Sequence, residues 1–264
     1  MMMIKILYLK SGKKTKKVNY SVIILGIKNN GVNQMHNKNF ATRLILQAMK
    51  VTREDIIDEF RNDISDVNYN GLDQAVWARR AKVLERLFRN QQDYKMLHIK
   101  RGFWELNPIF NVETGELYLL MSKDNLRRVK NKYHSLGSTS HYSYDFLLYN
   151  RNLIPEVTNI DLFPSQNDEE RRMLENKKML GSNYENVSCV YLIVVDYYAN
   201  EAIDAKRLLL NDSYELVEEV DLNSMLHENA DSEMHVAPKE MLGEGKKQNA
   251  PMVKLKKKFI SEEN

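Results

Sequence analysis

The chain has 264 residues, of which 43% are hydrophobic and 28% are charged, so it is long enough to bury a substantial core. Its single cysteine, Cys189, excludes an internal disulfide and any zinc site built only from cysteines. No apolar run reaches the roughly 18 residues that a transmembrane helix needs, so we expect no membrane span. The single cysteine fits a reducing compartment, so we expect a cytoplasmic location.

The formal net charge of +3 is unevenly distributed. Residues 1–34 contain seven lysines and no acidic residue, whereas residues 227–264 contain as many bases as acids. The part between them therefore carries −4, since the whole chain carries +3 and the first segment carries +7. A nucleic-acid-binding domain usually has its basic surface in the folded part. Here the part between the ends is acidic, so the candidate arms for binding nucleic acid are the basic leader and the basic KLKKKF stretch of the other end.

These shifts in composition predict three segments. Residues 1–34 form a basic leader, which is either an added pair of basic strands or translated upstream sequence ahead of a start at Met35, and we favour the second. Residues 35–226 form the folded domain. Residues 227–264 are polar and contain GEGKKQNAP and, near their end, the basic KLKKKF, so we expect a disordered tail with a basic end there.

The first half of the domain has the spacing of helices. The segment NKNFATRLILQAMK repeats apolar residues every three or four positions. Thr52 followed by Asp55 is typical of a helix start. Residues 72–88 carry one broad apolar stripe with basic residues mostly outside it, which is typical of an amphipathic helix.

Strands follow. KMLHIK alternates, with Leu97 and Ile99 on one face. GFWELNPIF and ELYLLM flank NVETG, which predicts a hairpin whose turn uses the conformational freedom of Gly115. Pro108 lacks a backbone N–H group, so we expect its strand to be an edge strand or to be bulged at this position.

The second half alternates again between helices and strands. Ser122 begins one helix, a short helix follows Ser140, and DEERRMLENKKML forms a third helix that Gly181 ends. CVYLIVVDYY, AIDAKRLLL and YELVEEV, separated by short polar turns, predict a β-meander. The predicted fold is therefore a single α+β domain, with N-terminal helices followed by a mainly antiparallel sheet that ends in a C-terminal β-meander.

Familiar catalytic motifs are absent from the sequence. It has no phosphate-binding loop, no paired histidines of a zinc protease and no nucleophile elbow, and its six histidines lack ligand spacing. We therefore assign no catalytic residue and no cofactor from motifs.

Three charged residues in the meander, Asp196, Asp204 and Lys206, favour a catalytic function. A turn centred on Asn200 would place Asp196 opposite Asp204, with Lys206 two residues further on the same face. Two carboxylates and a lysine in this order occur in metal-dependent nucleases of the PD-(D/E)xK type, where the carboxylates hold Mg²⁺. The alternative is that these three residues form only the solvated face of a hairpin.

Two other groups of residues are binding or catalytic candidates. His141 and Asp145 are one helical turn apart. They are either a general base with the carboxylate that orients it, or only the capped first turn of a helix. The second group is Arg101, Trp104 and Glu105. In one interpretation the aromatic side chain of Trp104 is exposed and, beside Arg101, contacts a partner. In the other, Trp104 lies in the core and Arg101 pairs with Glu105 or another acid.

A third candidate surface is basic. Arg127 and Arg128 belong to a run of basic residues on the helix after the hairpin. They form either a solvated helix face or, with Arg101, a basic patch.

Three stretches of the sequence resemble an uncharacterised family of low-GC Gram-positive bacteria and their phages. They are RGFWELNPIFNVETGELYLLM, then HYSYDFLLYN, then VYLIVVDYY with YELVEEVDL. The resemblance covers about residues 38–222. It implies an intracellular protein of a phage or mobile element, and it implies no particular reaction. We also expect a role in host defence or counter-defence.

The leading hypothesis is a regulatory or interaction protein that is not an enzyme. It would bind a host protein or nucleoprotein through Arg101, Trp104, Glu105, Arg127 and Arg128. One alternative is a nuclease that uses Asp196, Asp204 and Lys206, for which alone Mg²⁺ would be needed. The other is a regulator that binds nucleic acid through the basic ends.

Overall fold

The computed structural model of the chain describes residues 39–102, 104–155 and 166–228. The predicted basic leader and the predicted tail beyond Glu228 lie outside these residues, as do the nucleic-acid-binding arms expected there. All described residues belong to one compact unit, whose last residue is Glu228.

The described residues form seven α-helices and two 3₁₀-helices. The α-helices are α1 (39–49), α2 (Ile57–Asp63), α3 (Leu72–Phe88), α4 (Lys123–Leu136), α5 (Tyr142–Phe146), α6 (Gln166–Leu180) and α7 (Asn223–His227), and the 3₁₀-helices are Leu147–Asn150 and Gly181–Asn186. The predicted start of α4 is confirmed, because the Ser122 hydroxyl accepts a hydrogen bond from the Asn125 N–H at 3.3 Å. The predicted end of α6 is confirmed too, since it stops one residue before Gly181.

Eight strands are described, six of which form one sheet in the order β1-β4-β5-β6-β7-β8. They are β1 (Tyr94–Met96), β2 (Ile99–Arg101), β3 (Trp104–Leu106), β4 (Ile109–Asn111), β5 (Glu116–Ser122), β6 (Cys189–Tyr198), β7 (Glu201–Leu210) and β8 (Leu216–Asp221). Every neighbouring pair is antiparallel except β5 and β6. This confirms the α+β fold, the mainly antiparallel sheet and the meander β6-β7-β8. β5 and β6 can be parallel because the connection between them, which contains α4 to α6, returns the chain to the end of the sheet where β5 began.

Strand β6 is buried on both faces, which explains its continuous apolar sequence. On one face Val190, Leu192 and Val194 join a core with buried residues of α4 and α5. On the other face Tyr191 and Ile193 join a second core with buried residues of α1 and α3. The sheet is therefore covered by helices on both sides.

A buried asparagine ties the first 3₁₀-helix to this central strand. The Asn150 side-chain N–H₂ group donates to the carbonyls of Val190 at 2.8 Å and Leu210 at 2.7 Å, and its oxygen accepts from the Val190 N–H at 2.9 Å. The pairing of β6 with β7 begins at Tyr191 and Leu209, so it does not include Val190 and Leu210. The Asn150 side chain supplies hydrogen bonds to their backbone groups, which offsets the cost of burying those groups.

The segments KMLHIK and GFWELNPIF are each divided in two, although the sequence predicted one strand in each. β1 pairs with β4 in the main sheet, whereas β2 pairs with β3 in a separate two-stranded sheet. The break between β3 and β4 consists of Asn107 and Pro108. The Pro108 carbonyl still accepts a hydrogen bond from the Leu97 N–H at 2.9 Å. The expected irregularity at Pro108 is thus a complete change of sheet.

Among the described residues, no helix combines the length and the apolar character needed to cross a lipid bilayer.

The turn between β4 and β5 generates a stability prediction. Gly115 has a φ of 75°, and a Cβ atom there would lie 2.4 Å from the Asn186 carbonyl oxygen and 2.9 Å from the Ser188 Oγ. Gly137 has a φ of 69° with no atom within 4 Å of the same position, so it is a matched control.

We expect Gly137→Ala to lower the free energy of unfolding by about 1–2 kcal/mol, from backbone strain alone. Gly115→Ala should lower it by at least about 1 kcal/mol more, because neighbouring backbone must also move. Urea denaturation of both variants measures the difference, and equal losses would show that the turn does not pack against the residues before β6.

Candidate binding site on the β2–β3 arm

Strands β2 and β3, called the arm from here on, leave the main sheet and fold back onto the helices. Opposed residues in this pair share a face, so Ile99 and Leu106 both point inward, and Ile99 is buried. Lys100 and Glu105 point outward and form an exposed ion pair of 3.5 Å between Nζ and Oε1. The arm therefore has one face seated on the protein and one face in solvent.

Arg101 fastens the arm to α5. Its Nη2 donates to the Asp145 Oδ2 at 2.9 Å, and its Nη1 donates to the Ser140 carbonyl at 2.8 Å. Asp145 is wholly buried, and its other oxygen accepts from the Arg171 Nη1 of α6 at 3.0 Å. Two guanidinium groups from different elements thus share one carboxylate, which is the pairing that a buried charge requires. The prediction that Arg101 pairs with Glu105 is therefore wrong, and the alternative that it pairs with another acid is confirmed, since that acid is Asp145.

A second arginine of α6 extends this cluster. The Arg172 Nε and Nη2 donate to the Tyr144 carbonyl at 3.0 and 2.6 Å, and its guanidinium lies 4.0 Å from the centre of the Tyr144 ring. Its Nη1 lies 3.4 Å from Asp212, while the Arg171 Nε donates to Asp168 at 2.9 Å.

The cluster therefore matches three arginines with three aspartates. Its charges neutralise one another, so its structural effect is to hold the arm, α5 and α6 together. It presents no excess positive charge to an anionic ligand.

Burial raises the pKa of the Asp145 carboxyl above its usual value, although Arg171 and Arg101 act in the opposite direction. His141 caps α5, with its Nδ1 accepting from the Ser143 N–H at 3.3 Å. Burial, helped by the charge of Arg101, lowers the pKa of His141 to about 4. The hydrogen bonds of the described residues include none between His141 and Asp145. The local-cap interpretation of His141 is therefore confirmed, and the general-base interpretation lacks its orienting carboxylate.

Trp104 is the most exposed of the described aromatic side chains near this cluster. It is paired with Arg101 across the strands, so both side chains leave the arm on the same side. Arg101 is directed at Asp145. Trp104 is the first residue of β3, directly after the turn of the arm, and stays 61% exposed. The option that Trp104 is a core residue is wrong, because the strand break at Pro108 carries it beyond the main sheet.

The two predicted basic residues lie on another element. Arg127 and Arg128 are exposed on α4, and Arg127 pairs with Asp124 at 2.9 Å within the same helix. Within the described ranges, no hydrogen bond or ion pair connects either arginine to the arm. Arg101 is directed at Asp145, so the basic patch that would join it to Arg127 and Arg128 stays a prediction.

The predicted metal site has the expected register. Asp196 lies opposite Asp204, and Lys206 follows on the same face of β7. The turn is formed by Ala199 and Asn200, both with positive φ, and a bulge after Asp196 restores the register. This part of the prediction is confirmed.

Each of these three side chains has a protein partner. Asp196 accepts from the Lys123 Nζ at 2.6 Å, Asp204 accepts from the Asn223 Nδ2 at 2.8 Å, and Lys206 donates to Glu219 at 2.6 Å. In the part of the chain that is described, no group of three or more His, Cys, Asp or Glu side chains is placed to hold a metal ion. A cation at Asp196 and Asp204 would have to displace Lys123.

The sequence interpretation did not find the roles of Arg171, Arg172 and Asn176. A signal was present, because Arg172, Asn176 and Met179 follow one another at helical spacing and form the inner face of α6. Polar residues on such a stripe indicate a buried polar network. Asn176 completes it by donating to the Asp145 carbonyl at 2.7 Å.

Comparison with known proteins gives one match. A model described as "Family of unknown function (DUF5986)" matches residues 29–264. The chain belongs to this family. The match includes the last residues of the predicted leader and all of the predicted tail, so DUF5986 is wider than the resemblance noted from the sequence. No curated protein and no solved structure was found to match the chain.

His141 generates a prediction of pH dependence. Its pKa falls from 6.5 to about 4 on folding, so the unfolded chain binds a proton between these values and the folded protein does not. The free energy of unfolding is therefore not reduced by His141 above pH 6.5. It falls as the pH falls toward 4, by up to about 3 kcal/mol.

We expect His141→Asn to remove that part of the pH dependence, because asparagine also caps a helix but does not titrate. Urea denaturation of both proteins from pH 7.5 to 4 gives the comparison. Parallel losses of stability in the two proteins would contradict a partly buried, neutral His141.

Proposed function

We propose that this member of the DUF5986 family is a regulatory or interaction protein that binds a host protein or nucleoprotein through the tip of the arm. The observation that carries this proposal is the 61% exposure of Trp104 on an arm that Arg101 and Asp145 fasten to the helices. The biological setting we propose is the cytoplasm of a bacterium, with the protein encoded by a phage or mobile element and acting in host defence or counter-defence. That setting rests on the sequence resemblance.

An exposed tryptophan suits this role for energetic reasons. Burying a large aromatic side chain in a partner's pocket contributes about 2 kcal/mol or more, and tryptophan is enriched among the residues that dominate binding. The arm is already ordered by the ion pair between Arg101 and Asp145, so binding costs little additional conformational entropy.

Charged residues supply the rim of the proposed surface. Glu105 and Lys100 lie on the outer face of the arm, while Arg127 and Arg128 lie on α4. Exposed charges of this kind change the rate of association and its salt dependence more than the final affinity. Basic residues on α4 also suit a nucleoprotein partner, whose phosphate groups are negatively charged.

We expect Trp104→Ala to weaken capture of the partner about 30-fold, and Arg128→Glu to weaken it less and mainly at low salt. Tyr198→Ala is the matched control, because Tyr198 is also an exposed aromatic residue, at 74%, but lies at the turn between β6 and β7. Tagged full-length proteins would be used to capture partners from a bacterial host lysate, with quantitative mass spectrometry as the measurement.

All three variants should unfold at temperatures close to that of the unmodified protein, since exposed side chains contribute little to stability. If Trp104→Ala retains every partner, or if Tyr198→Ala loses the same ones, the assignment of this surface is wrong.

A metal-dependent nuclease of the PD-(D/E)xK type is the second candidate. It is favoured by the direct opposition of Asp196 and Asp204 with Lys206 on the same face. Two carboxylates can hold Mg²⁺ together with phosphate oxygens of a substrate, and the lysine can stabilise charge that develops on the phosphate. The ion pair between Asp196 and Lys123 opposes this function, because it places a cation where the metal would bind.

We expect millimolar Mg²⁺ or Mn²⁺ to leave the melting temperature of the full chain unchanged, because Lys123 already neutralises Asp196. Asp196→Asn is the control for binding at the carboxylate. A saturating rise in melting temperature that Asp196→Asn abolishes would instead favour the nuclease, and cleavage of DNA or RNA that Asp204→Ala abolishes would establish it.

A further inference from the structure

Strand β8 is an edge of the six-stranded sheet. It comprises six residues, Leu216–Asp221, and its ladder partner is β7 on one side. Within the described ranges no strand lies on its other side. Half of its backbone N–H and C=O groups therefore face outward along an open edge, which is the usual template for the addition of another strand.

The hydrogen bond that follows β8 shows which groups face outward. The Leu222 N–H donates to the Ala205 carbonyl of β7 at 2.9 Å. Backbone N–H groups alternate in direction along a strand, so those of Asp221 and Glu219 point away from β7. Glu219 thus contributes both an outward N–H group and a negative charge to the edge.

The open edge is acidic. Glu218 and Glu219 are 49% and 39% exposed at their side chains, and Asp221 is exposed as well. Lys206 and Arg207 of β7 lie 2.6 Å from Glu219 and 3.6 Å from Glu218. The three acids outnumber these two bases, so a negative charge remains along the edge.

This charge selects among the strands that could be added. Two copies of β8 paired about Glu218 and Glu219 would place glutamates directly opposite one another, which is unfavourable. An extended segment with lysine or arginine would instead place opposite charges in register. The acids therefore disfavour a second copy of this chain and favour a basic partner.

The two faces of the strand define the ligand more closely. Val220 and Val217 pack against the core beneath α1 and α3, whereas Glu219 and Asp221 pair with residues whose side chains lie on the opposite face of β7. Glu218 shares the face of Val220. A strand beside β8 would thus meet valines and one carboxylate on that face and two carboxylates on the other. Basic residues that alternate with apolar residues match this pattern.

We propose that the edge of β8 binds an extended basic segment of a partner protein by strand addition. Backbone hydrogen bonds to Glu219 and Asp221 provide the pairing, and lysine or arginine side chains opposite these two residues provide selectivity. This surface is separate from the arm, so it stands or falls independently of the binding function assigned to Trp104.

The test uses the full chain and a fluorescent peptide, about the length of β8, in which lysine alternates with valine. A peptide in which glutamate alternates with valine is the charge control. Anisotropy titrations would compare the unmodified protein with Glu219→Thr, which removes only the charge, and with Glu219→Pro, which also removes the outward N–H group. Proline is compatible with this position because its missing N–H is not part of the ladder with β7.

We expect the lysine peptide to bind and the glutamate peptide not to bind. Glu219→Thr should weaken binding about threefold, and Glu219→Pro about tenfold beyond that. Amide hydrogen exchange in residues 216–221 of the unmodified protein should slow when the lysine peptide is added.

The proposal is overturned if both peptides bind equally, if the two variants bind alike, or if exchange in residues 216–221 does not change on binding. The exchange measurement needs no variant, so it decides the question even if Glu219→Pro lowers the melting temperature. Loss of this binding would leave the assignment of Trp104 untouched, because neither variant alters the arm.

Discussion

The ionised carboxylate of Asp145, buried without contact to solvent, is the constraint on which this part of the structure depends. Such a charge is tolerated only when it is fully paired, and its two oxygens bind Arg101 from the arm and Arg171 from α6. Removing either arginine would leave part of a buried charge unpaired. Three elements that are distant in sequence are therefore held in one arrangement, and the exposed position of Trp104 follows from it.

The centre of the sheet, at β6, and its edge, at β8, differ in how their backbone groups and faces are covered. Strand β6 has neighbours on both sides and helices on both faces, and Asn150 satisfies backbone groups where its ladder with β7 is incomplete. Among the described residues β8 has a neighbouring strand on one side, and it carries three exposed acids. Apolar sequence thus lies where water is excluded, and charge lies where an unpaired strand would otherwise invite association with another copy.

Much of this fold follows from local patterns in the sequence. The hairpin around Gly115, the start of α4 at Ser122 and the opposition of Asp196 to Asp204 all depend on residues close in the chain, so periodicity and turn chemistry were sufficient. Local patterns could not identify Arg171 as a partner of Asp145, because the two residues meet only when α6 packs against α5. Trp104 was misjudged as a possible core residue for a similar reason, since the change of sheet at Pro108 depends on tertiary contacts.

The parallel pairing of β5 with β6 has a consequence for the order in which the protein can be assembled. Glu116 pairs with Cys189, and Ser122 with Val195, so every contact in this ladder joins distant parts of the chain. On a ribosome, the hairpin of β4 and β5 is complete while the residues of β6 have yet to be synthesised. Until then β5 exposes an apolar edge at what will become the middle of the sheet. The nascent chain must therefore keep this edge from other partners, and α4, which follows β5 directly and packs against it, is the first element available to do so.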